Sequence, residues 1–82
     1  MTVRSVEKNI VNLSGYLFTP LDPHALQSLI KEEGLALDVK GTVLLSQEGI
    51  NCFVAGTPEA LEKFSEVLFK KAGIPEFELK KS

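Results

Sequence analysis

The sequence has little of what most site chemistry is built from. One cysteine, Cys52, and one histidine, His24, stand among 82 residues. A single cysteine excludes an internal disulfide and a cysteine-based zinc site, and a single histidine excludes a His-rich metal cluster. Arg4 is the only arginine. The longest unbroken apolar run, Cys52–Ala55, is far too short to cross a bilayer. The segment Met1–Ser5 lacks the apolar stretch of a secretory signal. No membrane association and a reducing, cytoplasmic setting are the expectation. Positive charge is also scarce: nine Lys and Arg against eleven Asp and Glu leave a net charge of −2. Non-specific affinity for nucleic acid comes from neutralising phosphates, so a strong autonomous nucleic-acid binder is a poor reading. A local basic patch remains open.

What is present is ordinary globular usage, 44% apolar and 24% charged, in a chain with room for one domain and one two-layer core. Residues 1–8 are polar and expected to fray. Asn9–Phe18 reads as a strand. Val11, Leu13, Gly15 and Leu17 alternate with Asn12, Ser14, Tyr16 and Phe18, the first set suiting a core face. Asp22 and Pro23 form a helix start, and Leu26, Leu29 and Ile30 a helical stripe that Gly34 is expected to end, with Leu35–Val39 either a further half-turn or a connector. Gly41–Ser46 and Ile50–Ala55 read as two strands joined by the short Gln47-Glu48-Gly49 turn, an antiparallel hairpin. Thr57, Pro58 and Glu59 begin a second helix with Leu61, Phe64, Val67 and Leu68 on its apolar side. Gly73 and Pro75 end it. The alternation in Glu76–Lys81 predicts a last strand.

That order is βαββαβ. With right-handed crossovers it predicts an α+β, ferredoxin-like sandwich, a four-stranded antiparallel sheet with two helices on one face. The opposite face is left bare for a partner. The chain ends just after the last expected strand, which reads as a domain, 9–82, excised from a longer chain.

The densest signal is Lys40-Gly41-Thr42-Val43-Leu44-Leu45-Ser46-Gln47-Glu48-Gly49-Ile50-Asn51, followed by Ala55-Gly56. Gly49 permits positive φ, Asn51 can bond backbone beside the turn, and Glu48 is an acid or an anchor. From physics alone these residues need only shape a hairpin. Cys52 lies mid-strand without a basic neighbour and reads as a buried, inert hydrophobe rather than a nucleophile. His24, in the first turn of the first helix, reads as a solvated surface residue. Acyl-phosphate chemistry would need an anion cradle of backbone N–H groups and an Arg. The loop Thr19-Pro20-Leu21-Asp22-Pro23 offers two prolines and a carboxylate instead. Tyr16, Phe18 and Phe53 are candidates for the bare face, as base-stacking aromatics or as an apolar interface. Lys70-Lys71 and Lys80-Lys81 are candidates for a basic edge.

Tyr16, Phe18 and Leu21, then Lys40-Gly41-Thr42 with Leu44-Leu45, then Glu48-Gly49-Ile50-Asn51 and Ala55-Gly56, follow a family pattern in order. By them the chain resembles the N-terminal, acylphosphatase-like domain of the rhodanese-related tRNA uridine hydroxylases. The resemblance implies a role as an accessory domain. The parent enzyme would hydroxylate the wobble uridine of tRNA to 5-hydroxyuridine with oxygen. This domain would help to bind tRNA or brace a downstream rhodanese domain that carries the reactive cysteine loop. It implies no catalytic residue, metal or cofactor in these residues. Candidate tRNA or interdomain contacts are Tyr16, Phe18, Lys40, Glu48, Gly49 and Asn51. A non-catalytic protein–protein module on the same sandwich is the competing reading.

Overall fold

A computed structural model of the chain describes residues 9–81; the expected frayed segment 1–8 lies outside the described residues. Strand β1 spans Val11–Phe18 and helix α1 Pro23–Ala36. Strands β2 and β3 span Lys40–Ser46 and Gly49–Gly56, helix α2 Pro58–Glu66, and β4 only Lys80–Lys81. The sheet order is β2-β3-β1-β4 with every pairing antiparallel. This is the ferredoxin-like arrangement expected from the element order.

Alternation in β1 decides which face is covered. Val11, Leu13 and Leu17 pack against the core, as do Val43 and Leu45 of β2. Ile50, Cys52 and Val54 of β3 are buried beside Ile30 of α1 and Leu61, Phe64 and Leu68 from the second helical segment. Both helix starts follow the local chemistry of their caps. Asp22 Oδ1 accepts from the Ala25 N–H at 3.4 Å, and Thr57 Oγ1 accepts from the Ala60 N–H at 3.2 Å. Each cap precedes a proline that has no N–H to leave unsatisfied. Within the expected α1 stripe, Leu26 and Ile30 join the core while Leu29 is only half-buried.

Three expectations need correction. First, Gly34 does not stop α1; the helix runs through it to Ala36. Gly34 is buried because the Phe64 ring lies against it, so close that a Cβ there would sit 3.3 Å from the ring. The actual stop is Asp38, in the left-handed region at φ 59. The Val39 N–H donates to the Gly34 carbonyl at 2.9 Å and the Asp38 N–H to the Leu35 carbonyl at 3.1 Å. This is the double bond of a Schellman cap, with an aspartate where glycine is commoner.

Second, the helical segment after Pro58 is not one α-helix. Val67–Lys71 widens into a π-helical turn, and the Ala72 N–H reaches the Val67 carbonyl at 2.8 Å. The wider turn keeps Val67 and Leu68 both buried and leaves Lys70 and Lys71 outside. Gly73, at φ 73, then ends the segment as expected.

Third, the last strand pairs far less than Glu76–Lys81. Only Lys80 and Lys81 pair, opposite Ser14 and Leu13. Upstream of them, Phe77 turns into the core edge to pack edge-on against Phe69, ring centroids 5.6 Å apart. The Glu78 carbonyl crosses β1 at Gly15, where a Cβ would lie 2.5 Å from it. That close approach replaces regular pairing.

Candidate functional site

The face of the sheet away from the helices carries the even-numbered residues of β1 and β2 and the odd-numbered residues of β3. The register sets Tyr16 beside Asn51 and Asn51 beside Leu44; Phe53 lies between Ser14 and Thr42. Tyr16 and Phe18 are 66% and 79% exposed, Phe53 is 55% and Leu44 58%. The Tyr16 and Phe18 rings meet edge-on with centroids 5.5 Å apart. Diagonal neighbours across strands lie within reach of aromatic side chains, so the four residues form one apolar patch.

At the hairpin end the patch opens into a cavity of about 260 Å³ whose lining includes Tyr16, Phe18, Leu44, Ser46, Glu48 and Asn51. The turn beneath it is a two-residue link, Gln47-Glu48, between Ser46 and its partner Gly49. Gly49 (φ 156) lies so close to β1 that a Cβ would sit 2.0 Å from the Leu17 carbonyl oxygen. Ser46, rather than Asn51, does the hydrogen bonding of the turn. Its Oγ accepts from the Glu48 N–H at 3.1 Å and donates to the Gly49 carbonyl at 3.5 Å. Among the described residues the Asn51 side chain makes no hydrogen bond, which leaves its amide on the open face.

The structure therefore gathers Tyr16, Phe18, Glu48, Gly49 and Asn51 at one end of the face. Lys40 stands apart. It opens β2 opposite Ala55, about 20 Å along the strand from Ser46, and its ammonium is 3.2 Å from Asp38. Leu44 and Ser46, part of the same sequence signal, lie outside the six candidate contacts. Strand parity alone assigns Leu44 to the open side, because Val43 and Leu45 take the core side.

The loop from β1 to α1 is closed by the same hairpin. The Thr19 N–H donates to the Glu48 carbonyl at 2.9 Å and the Leu21 N–H to the Gln47 carbonyl at 3.3 Å. Those two donors and the capped Ala25 N–H are engaged and so lost to an anion cradle here, and Pro20 and Pro23 have no N–H to offer. Cys52 is fully buried on the helix side, and burial pushes its thiol up to about 11. A thiol so far from ionising is no nucleophile at neutral pH. His24 is exposed. No three of the His, Cys, Asp and Glu side chains among the described residues gather as a metal site would need.

An open-faced α+β sandwich of the acylphosphatase type, its first loop tied to the β2–β3 turn, is the class of protein these features define. A family model described as the UPF0176 acylphosphatase-like domain matches residues 10–82, and the chain belongs to that family. Curated relatives agree. A tRNA uridine(34) hydroxylase of Delftia acidovorans is 48% identical over 61 residues, covering 73% of this chain and 23% of the relative. The protein of the same name from Bordetella avium is 43% identical over 75 residues, covering 90% and 31%. That from Variovorax paradoxus is 36% identical over 76 residues, covering 92% and 29%. The chain thus spans about a quarter to a third of the length of these relatives, which continue well beyond it. Among the described residues no helix is long and apolar enough to cross a membrane.

Proposed function

We infer that this chain is the accessory N-terminal domain of a tRNA uridine hydroxylase, without chemistry of its own. The observation that carries this reading is the family match over residues 10–82, in a chain whose relatives named tRNA uridine(34) hydroxylase are about three times as long. Hydroxylation belongs to the remainder of such a parent, a downstream rhodanese-like domain working on tRNA in the cytoplasm. The domain's part is to hold the tRNA or to brace the catalytic domain, through the cluster of Tyr16, Phe18, Glu48, Gly49 and Asn51, with Lys40 as an outlying contact. Two features support a non-catalytic role: the buried thiol, and a first loop whose Thr19 and Leu21 N–H groups are engaged by the hairpin.

The competing reading, a free-standing protein-interaction module, draws support from the exposed apolar patch. One experiment separates the two. Nucleoside mass spectrometry of tRNA is carried out after incubation with the longer parent protein, with the parent lacking residues 9–81, and with the 82-residue chain alone. The parent is expected to form 5-hydroxyuridine, the truncated parent markedly less, and the 82-residue chain none. Unchanged activity in the truncated parent would remove the accessory role.

A further inference from the structure

We propose that the open sheet face is covered by the remainder of the longer parent chain, which seats one apolar side chain in the cavity between Tyr16, Phe18 and Leu44. The inference rests on the accessory-domain reading above and names the partner of its candidate site.

The chemistry of the face selects protein over nucleic acid. Four large apolar side chains stand more than half exposed on one side of the sheet. A chain that works alone rarely leaves so contiguous a patch uncovered. A tRNA-holding face would add cations to its aromatics, because most of the affinity for a nucleic-acid backbone comes from phosphate neutralisation. Among the described residues, the cations that the register brings to this side are Lys40 and Lys80, opposite Ala55 and Ser14. Each has an acidic neighbour, Asp38 at 3.2 Å and Glu78 at 4.0 Å. At the aromatic end the charged residue lining the cavity is Glu48, which repels phosphate.

The cavity itself is built for a side chain from a folded surface. Its walls include two rings and a leucine, and Asn51 contributes an amide, unbonded among the described residues, able to pair with the backbone of an incoming segment. An apolar anchor in a pocket with one polar contact at its rim is the usual centre of a protein interface. The occupant is identified by length. Relatives of this chain carry more than two thirds of their residues beyond the matched part. A tethered surface meets the patch at a far higher effective concentration than any free partner.

Hydroxyl-radical footprinting tests the proposal on the 82-residue chain and on the longer parent, each with and without added tRNA. Oxidation of Tyr16, Phe18 and Phe53 is expected to be about tenfold slower in the parent before tRNA is added, the protection of an interface core. In the parent carrying Phe18→Asp or Leu44→Asp, rates at Tyr16 and Phe53 are expected to rise to those of the 82-residue chain. Cys52 should stay slow to alkylate throughout, showing that the sheet is intact. Equal rates in parent and isolated chain would overturn the proposal. So would protection that appears only with tRNA, or protection in the 82-residue chain that grows with its concentration, which would make a second copy the occupant. Hydroxylase activity is scored separately: an active parent with an unprotected face keeps the function and loses the interface, and an inactive parent with a protected face does the reverse.

Discussion

The two faces of this sheet are built from the same strands, one residue out of step, and they meet opposite fates. On the helix side β3 sets Ile50, Cys52 and Val54, between fully buried and 5% exposed. On the other side the same strand sets Asn51 and Phe53, both exposed. In β1, Leu13 and Leu17 pack on the core while Tyr16 and Phe18 stand in solvent. The difference teaches that apolar character alone does not locate the core. What locates it is which side the two helical segments can cover with Ile30, Leu61, Phe64 and Leu68. The helix side holds the fold together, and the open side is available for contact.

Substitutions sharpen that contrast, beginning with the largest effect. Phe64 is 2% exposed and packs against Gly34 of the other helix. Phe64→Ala is expected to cost about 3–5 kcal/mol, read as a large fall in the denaturant midpoint; an unchanged midpoint would refute the assigned core. Gly49→Ala is expected to cost about 2 kcal/mol or more, because its Cβ would collide with the Leu17 carbonyl. Amide exchange should then accelerate at the Phe18 end of the sheet before it does at Val11.

Cys52 makes the helix side sensitive to alkali. Its thiol is raised from 9.0 to about 11 by burial, so the unfolded chain releases this proton first. Its contribution is complete below about pH 9 and is lost as pH rises through 11, a fall of about 3 kcal/mol. Cys52→Ala is expected to lower stability at neutral pH but to flatten the alkaline limb of the curve. A limb equally steep in the variant would assign it to other groups. The smallest effect belongs to the open face. Phe18→Ser in the 82-residue chain should change unfolding free energy by less than about 1 kcal/mol. A loss as large as that of Phe64→Ala would erase the distinction between the faces.

Much of this is legible in the sequence. The alternation of Val11–Phe18 separates the two faces, and Asp22-Pro23 and Thr57-Pro58 mark the two helix starts. What the sequence hid was tertiary. Gly34 looks like a stop, but the Phe64 ring packed against it is visible only in three dimensions. The aspartate that does end α1 carries no strong sequence signal. Phe77 and Leu79 alternate as a strand should, yet Phe77 is drawn to Phe69, and only Lys80 and Lys81 pair. Val67 and Leu68 fit an α-helical stripe as well as a π-helical turn, so periodicity could not tell them apart. In the candidate site, Tyr16, Phe18 and Asn51 follow from strand parity and register. Lys40 follows less well, because nearness to the hairpin in sequence became a full strand length in space.

The register of β1 on β3 also bears on how the chain folds. This central pairing joins residues as distant in sequence as Val11 and Gly56, with α1 and the β2–β3 hairpin lying between them. The hairpin itself closes over a two-residue turn and forms from local contacts on the microsecond scale. β1 must cross a long loop before its pairs compensate for the chain entropy lost. Docking of the first strand onto the finished hairpin is therefore expected to set the pace, with folding slower than that of a helical bundle of equal length.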